Sequence, residues 1–165
     1  MQYNDAESFP ISFTLDNPII IGRGGSMKVV ASQELAKLQS KGKAVYITDS
    51  YLFVSNDDTT YESDVLNLLK ELNAREIHYC VKSIRNQPLY FRIQQELDTV
   101  GCLLTHDVLG VDCHDRFWLC KETNKAIVFG TSLNGLCKKI CRISELNDEE
   151  VLALIQALND DGITI

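Results

Sequence analysis

Apolar positions along most of this chain follow two periods in alternation, one of two residues and one near 3.6. Ala44-Val-Tyr-Ile-Thr is a compact β-rich run that ends in Asp49-Ser50-Tyr51. Val65, Leu68, Leu69 and Leu72 then recur at helical spacing and give one apolar face. Thr59-x-x-Glu62 ahead of them has the form of a capping box, in which hydroxyl and carboxylate satisfy free amides at a helix start. Residues 76–82 alternate again through Ile77, Tyr79 and Val81, as a second strand. Asn86-Gln87-Pro88 opens another helix, since proline suits the first turn. Its stripe is Leu89, Ile93, Leu97 and Val100, with Gly101 as the stop.

Residues 103–108 form a third strand. Two apolar strands follow, His-Asp-Arg-Phe-Trp-Leu-Cys from His114 and Ala-Ile-Val-Phe-Gly-Thr-Ser-Leu-Asn to Asn134, joined by the turn Glu122-Thr123-Asn124-Lys125. Residues 139–143 add one more strand. Asn147 caps a last helix whose acidic first turn suits the helix dipole, with Val151, Leu154, Ile155 and Leu158 inward.

The N-terminal stretch is less regular. Pro10-Ile-Ser-Phe-Thr-Leu alternates like a strand, and Pro18-Ile-Ile-Ile runs into Gly22-Arg23-Gly24-Gly25-Ser26. Those glycines lack the spacing of a dinucleotide fingerprint or a P-loop, so a tight turn is the plain reading. Residues 27–31 are expected as the returning strand, and Ser32 as the cap of a short helix through Leu38. Residues 1–42 thus form strands and a short helix ahead of an α/β core at 43–165. Strand–helix–strand–helix–strand followed by consecutive strands implies a mixed β-sheet with helices on its faces. A chain of 165 residues is one domain by size and long enough to bury a core.

Charge narrows the function classes. A net charge of −7 argues against broad electrostatic capture of nucleic acid or anionic membrane. The acid is unevenly placed: Asp148, Glu149, Glu150, Asp160 and Asp161 crowd the tail from Leu146 onward, which has no Lys or Arg. No apolar run reaches the length of a bilayer span. Six cysteines without a leader-like N-terminus point to reduced thiols and a cytoplasmic setting.

The candidate chemistry lies in the late hairpin. An antiparallel pair sets the start of one strand beside the end of the next, which gathers His114, Arg116, Ser132 and Asn134 at one sheet edge. His114 and Arg116, two apart, share a face, and Ser132 and Asn134 do so if their strand continues that far. Lys82 and Arg85, just past the second strand, either reach the same edge or sit in a solvated loop. Ligands of such sheets bind beyond the carboxyl ends of parallel strands.

This pattern resembles the signature of the phospholipase D superfamily: His-x-Lys, four residues, Asp, six residues, then Gly-Ser-x-Asn. His114 matches the histidine and Arg116 stands at the lysine. Ser132 and Asn134 match Ser-x-Asn, with Thr131 at the glycine. Lys121 replaces the aspartate, and the hairpin is longer than the family's. His-Asp-Arg looks most like diverged members, among them the membrane-binding domain that ends some microtubule-interacting-and-trafficking proteins. The resemblance implies a phospholipase-D-like half-domain that binds, and in active members hydrolyses, a phosphodiester without metal or other cofactor. It assigns His114, Arg116 and Asn134 to catalysis and Thr131 and Ser132 to the substrate, with nucleic acid the expected ligand. Arg85 and Lys82 join the substrate-binding set only through their place past the second strand. Arginine at 116 offers charge and bidentate donors, but its wider head is not a neutral exchange for lysine. With one motif copy, nuclease or other phosphodiesterase turnover needs a two-fold homodimer that joins two His114 side chains. The alternative is an inactive module that keeps the phosphate or lipid-headgroup pocket, or an interaction domain.

Taken singly, these residues have plain readings. Arg116 can pair with Asp112 or another acid, Ser132-Leu-Asn-Gly is a good turn, and Phe117 and Trp118 suit a core. Cys102, His106, Cys113, His114, Cys120, Cys137 and Cys141 are metal-ligand types, yet no Cys-x-x-Cys occurs. Buried free thiols are expected, and no metal.

Overall fold

Burial explains why the short β-rich run at 44–47 lies in the sheet interior. Every residue of Ala44–Ile47 is buried on both faces, as only an interior strand requires. The computed structural model describes residues 18–55 and 59–165. The strand of residues 10–15 expected from the sequence lies outside them. The strands are β1 (Ile19–Ile21), β2 (Ala44–Ile47), β3 (Glu76–Val81), β4 (Leu103–Val108), β5 (Arg116–Cys120), β6 (Lys125–Phe129) and β7 (Cys141–Glu145). They form one seven-stranded sheet in the order β1-β7-β6-β5-β2-β3-β4. β2–β3 and β3–β4 pair in parallel, and the remaining pairs are antiparallel. The fold is therefore an α/β mixed sheet with helices on both faces, as the sequence implies.

Helices α1 (Met27–Leu35), α2 (Tyr61–Glu71) and α3 (Gln87–Asp98) cover one face, and α4 (Asp148–Asp160) packs on the other. The larger core lies under the first three. Ile77, Tyr79, Trp118, Ile127 and Phe129 meet Leu68, Leu69, Ile93 and Leu97 there. Under α4, Tyr46, Leu119 and Ala126 meet Val151, Leu154 and Leu158.

The helix starts show where local signals decide and where packing does. Asn86 accepts a hydrogen bond from the Leu89 amide at 3.1 Å, with proline in the first turn. Asn147 and Glu150 form a complete capping box. Residues 27–31, expected as a strand, are instead the start of α1, capped by Ser26 rather than Ser32. The Ser26 hydroxyl takes the Val29 amide, and the expected helix to Leu38 finishes as a short 3₁₀ turn, Ala36–Leu38. Thr59-x-x-Glu62 is not a capping box: Thr60 holds the cap position, and Glu62 pairs with Arg92 on α3. Val100 lies past the end of α3 and is 56% exposed, outside the apolar stripe. Gly101 does end that helix, with φ near +78°.

Two corrections fall in the hairpin region. The strand begins at Arg116 rather than His114, and β6 ends at Phe129. Ser132 and Asn134 therefore do not share a strand face. They belong to a 3₁₀ turn, Leu133–Gly135, for which Ser132 is the cap. The last strand starts two residues later than the sequence suggests, and Phe117 is only half-buried. No described helix is long and apolar enough to cross a membrane.

Replacing Asn147 by Ala removes the reciprocal cap of α4. Urea unfolding should show a loss of about 1 kcal/mol with unchanged denaturant slope.

Candidate functional site

Antiparallel pairing of β2 with β5 and β5 with β6 brings three chain segments to one edge of the sheet. These are the end of β2, the start of β5 and the turn after β6. Asp49, Ser50 and Tyr51 leave β2 there, and Arg116 enters β5 opposite Phe129, the last residue of β6. The loop after β3 arrives alongside because β3 runs parallel to β2.

The hub of this edge is Asp49, which is wholly buried. One carboxylate oxygen accepts the Ser132 hydroxyl at 2.7 Å and the Leu133 amide at 3.1 Å. The other accepts the Tyr51 amide at 3.0 Å. The Asp49 carbonyl takes the buried Tyr79 hydroxyl at 2.8 Å. A buried carboxylate is costly unless its lone pairs are filled, and these donors fill them. Burial pushes the Asp49 carboxyl above its ordinary range, while the Ser132, Tyr51 and Leu133 hydrogen bonds and the charge of Arg116 pull it down.

Above this tie sits a cation–aromatic group. The Arg85 guanidinium lies 4.0 Å from the centre of the Tyr51 ring, and that of Arg116 lies 5.9 Å from it. Arg116 also donates to the His114 carbonyl at 2.7 Å. Among the described residues neither arginine forms an ion pair with a carboxylate, whereas Arg75 pairs with Glu122 and Arg92 with Glu62. Tyr51 remains 40% exposed. Lys82 and Arg85 line a shallow crevice with Thr48, Ser50, Asp112 and Cys113.

The remaining expected residues are placed as follows. His114 stands at the rim, its side chain 96% exposed, with Nδ1 3.2 Å from the Asp115 carboxylate. Thr131 and Asn134 are half-buried in the turn after β6, while Ser132 is buried and bonded to Asp49. Gly135 must be glycine, because a Cβ there would stand 2.5 Å from the Thr131 hydroxyl. The structure thus collects Arg85 with Arg116 on Tyr51 and ties Ser132 beneath them. His114 is left pointing into solvent. Sequence reasoning passed over Asp49 and Tyr51. The only available signal was a polar trio directly after the most buried strand.

The six cysteines are free, and the described residues contain no cluster of three or more metal-ligating side chains. This arrangement offers guanidinium donors and an aromatic face to an anion.

No family model and no curated protein matches the chain. Among solved structures, the crystal structure of polyphosphate kinase from Porphyromonas gingivalis is similar, with a TM-score of 0.51 and 11% identity. The match covers 88% of this chain and 26% of that one. At that identity the likeness shows the fold.

Two variants probe the buried tie. Ser132→Ala leaves a carboxylate one donor short and should cost about 1–3 kcal/mol in chemical denaturation. Because the folded Asp49 pKa is raised, ionising the carboxyl costs more in the folded than in the unfolded chain. Its favourable contribution is complete below the unfolded pKa and is lost as pH rises through the folded one. Asp49→Asn removes that titration. The unfolding free energy of wild type minus that of Asp49→Asn should therefore fall as pH rises across this window, and a flat difference would contradict the assignment.

Proposed function

We propose that this chain is a phosphodiester-recognition domain in which the phosphate sits against Arg85 and Arg116 over Tyr51. The observation that carries the proposal is the pair of guanidiniums gathered on one aromatic ring without a carboxylate partner, in a chain of net charge −7. An arginine fork suits phosphate oxygens, and donors already held in place cost little entropy on binding. The phospholipase-D-like fold and the His114, Arg116, Ser132 and Asn134 pattern support the same ligand class, as does a structural neighbour named as a polyphosphate kinase. The ligand proposed is nucleic acid, with Asn134 and Thr131 beside the phosphate and Lys82 at the crevice behind Arg85.

Hydrolysis is a second reading, favoured by one observation: His114 is exposed at the rim, with Asp115 as its side-chain partner among the described residues. Double displacement at phosphorus needs one imidazole to attack and another to protonate the leaving oxygen. This motif occurs once in the chain, so turnover is proposed only for a two-fold pair of copies.

Titration with a thymidine dinucleotide, followed by calorimetry, tests recognition. Arg116→Ala and Arg85→Ala should each weaken binding about tenfold or more, matching the ~1.5–3 kcal/mol of a charge-assisted hydrogen bond. Equal affinity in wild type and both variants would remove the proposal. For the second reading, His114→Ala should abolish metal-free cleavage of a chromogenic diester while leaving dinucleotide affinity within a factor of about three.

A further inference from the structure

Beyond the phosphate position itself, the edge that carries it is basic over most of its length. Strand directions fix what meets there. β1, β2, β3 and β6 end at this edge, and β5 and β7 begin at it. The Lys and Arg residues delivered are Lys82 and Arg85 after β3, Arg116 at β5, Lys138 and Lys139 before β7, and Arg23 after β1. All but Arg116, which is half-buried, are exposed.

These side chains belong to one continuous surface. Arg85 touches Tyr51, and Tyr51 and the turn after β6 are both bonded to Asp49. In that turn a Cβ added at Gly135 would lie 3.7 Å from the Lys139 side chain. The Gly24 amide donates to the Cys137 carbonyl at 2.9 Å, which lays the Arg23 loop beside Lys138. From β3 to β1 the sheet order β3-β2-β5-β6-β7-β1 spans five strand spacings. At about 4.8 Å each, the edge is roughly 24 Å long.

The acids that open the last helix lie off this line. Asp148, Glu149 and Glu150 start α4, which follows the far end of β7. They lie a strand length of roughly 17–20 Å away, against a screening length of about 8 Å at physiological salt. Asp160 and Asp161 return to this side, where the Asp161 carbonyl takes the Gly110 amide beyond β4, next to the Lys82 and Arg85 end of the line. Among the described residues, Asp112 and Asp115 are the exposed acids within the line's own loops.

We infer that this edge is a track for an extended single strand of nucleic acid, running from Arg85 and Tyr51 past Arg116 to Lys138, Lys139 and Arg23. The inference rests on the phosphate position proposed above and extends it from one phosphate to several. A single file of cations with an exposed aromatic ring is the form used to hold one backbone and stack a base. The length accommodates about seven phosphates at the B-form rise of about 3.4 Å per nucleotide, and fewer in a stretched strand.

Fluorescence anisotropy with oligothymidylates of increasing length, on the whole chain, tests it. Affinity should rise with length and level off between four and eight nucleotides, a range of the order set by the edge length. The double variant Lys138→Ala, Lys139→Ala should weaken binding of the longest oligomer at least tenfold and lower its salt slope by about 1.4, while the dinucleotide binds as before. Arg116→Ala should weaken both. If the double variant binds the long oligomer like wild type, the track is wrong and the single phosphate position stands. If no oligomer binds, the reading beneath it fails as well. Capture of phosphatidylserine vesicles or inorganic polyphosphate in preference to oligothymidylate would also overturn the track, and would assign the edge to that polyanion.

Discussion

A carboxylate with no access to water holds this sheet edge together. Asp49 follows the interior strand β2, and its oxygens are filled by the Tyr51 amide of its own loop and by the Ser132 hydroxyl and Leu133 amide of the turn after β6. Any rearrangement of the Ser132 turn or of the Tyr51 backbone would leave a buried carboxyl group without its hydrogen-bond partners, a penalty larger than one surface contact returns. The loops that carry candidate chemistry are therefore fixed from beneath. Tyr79, from the neighbouring strand β3, donates its own buried hydroxyl to the Asp49 carbonyl and extends the tie into the main core. This is how a site made of loops acquires the rigidity of the sheet.

The elements that rest on long periodic patterns were legible in the sequence: β2, β3, β4, the hairpin, α2, α3 and α4. So was the mixed α/β sheet they imply. Where the sequence misled, a tertiary partner outweighed a local signal. Residues 27–31 look like a strand by β-branched content, but Ser26 offers a cap, and Ala31 and Leu35 fill the gap above α2. Glu62 has the spacing for a capping box and instead reaches a bidentate partner in Arg92. The same limit applies to the site. His114 and Arg116 could be placed by strand pairing, whereas the bond from Ser132 to Asp49 joins residues 83 apart and leaves no trace in spacing. Tyr51 resembles an ordinary loop aromatic until Arg85 is seen stacked on it.

Topology also accounts for the separation of charge. In a mixed sheet the carboxyl ends of the parallel strands share an edge with the starts of the antiparallel ones, so loops from all seven strands of the sheet reach one rim. The acids of α4 begin at the opposite rim, where they face the amino end of a helix and stabilise its dipole. A net charge of −7 therefore describes the whole surface and not the field at this rim.

Recognition and turnover make different demands on that rim. Turnover needs the attacking nitrogen fixed at near-contact distance from phosphorus and in line with the leaving oxygen. The His114 ring is almost wholly exposed, with Nδ1 3.2 Å from the Asp115 carboxylate, and the short bond from Arg116 goes to its carbonyl, so it orders the backbone and not the imidazole. Binding needs only that positive groups be gathered and spared neutralisation by neighbouring carboxylates, and the Tyr51 ring does this by holding two guanidiniums through its face rather than through an acid. An isolated copy thus offers what the proposed phosphate position needs. The conditions for attacking one require a second surface that packs against His114 and fixes its ring.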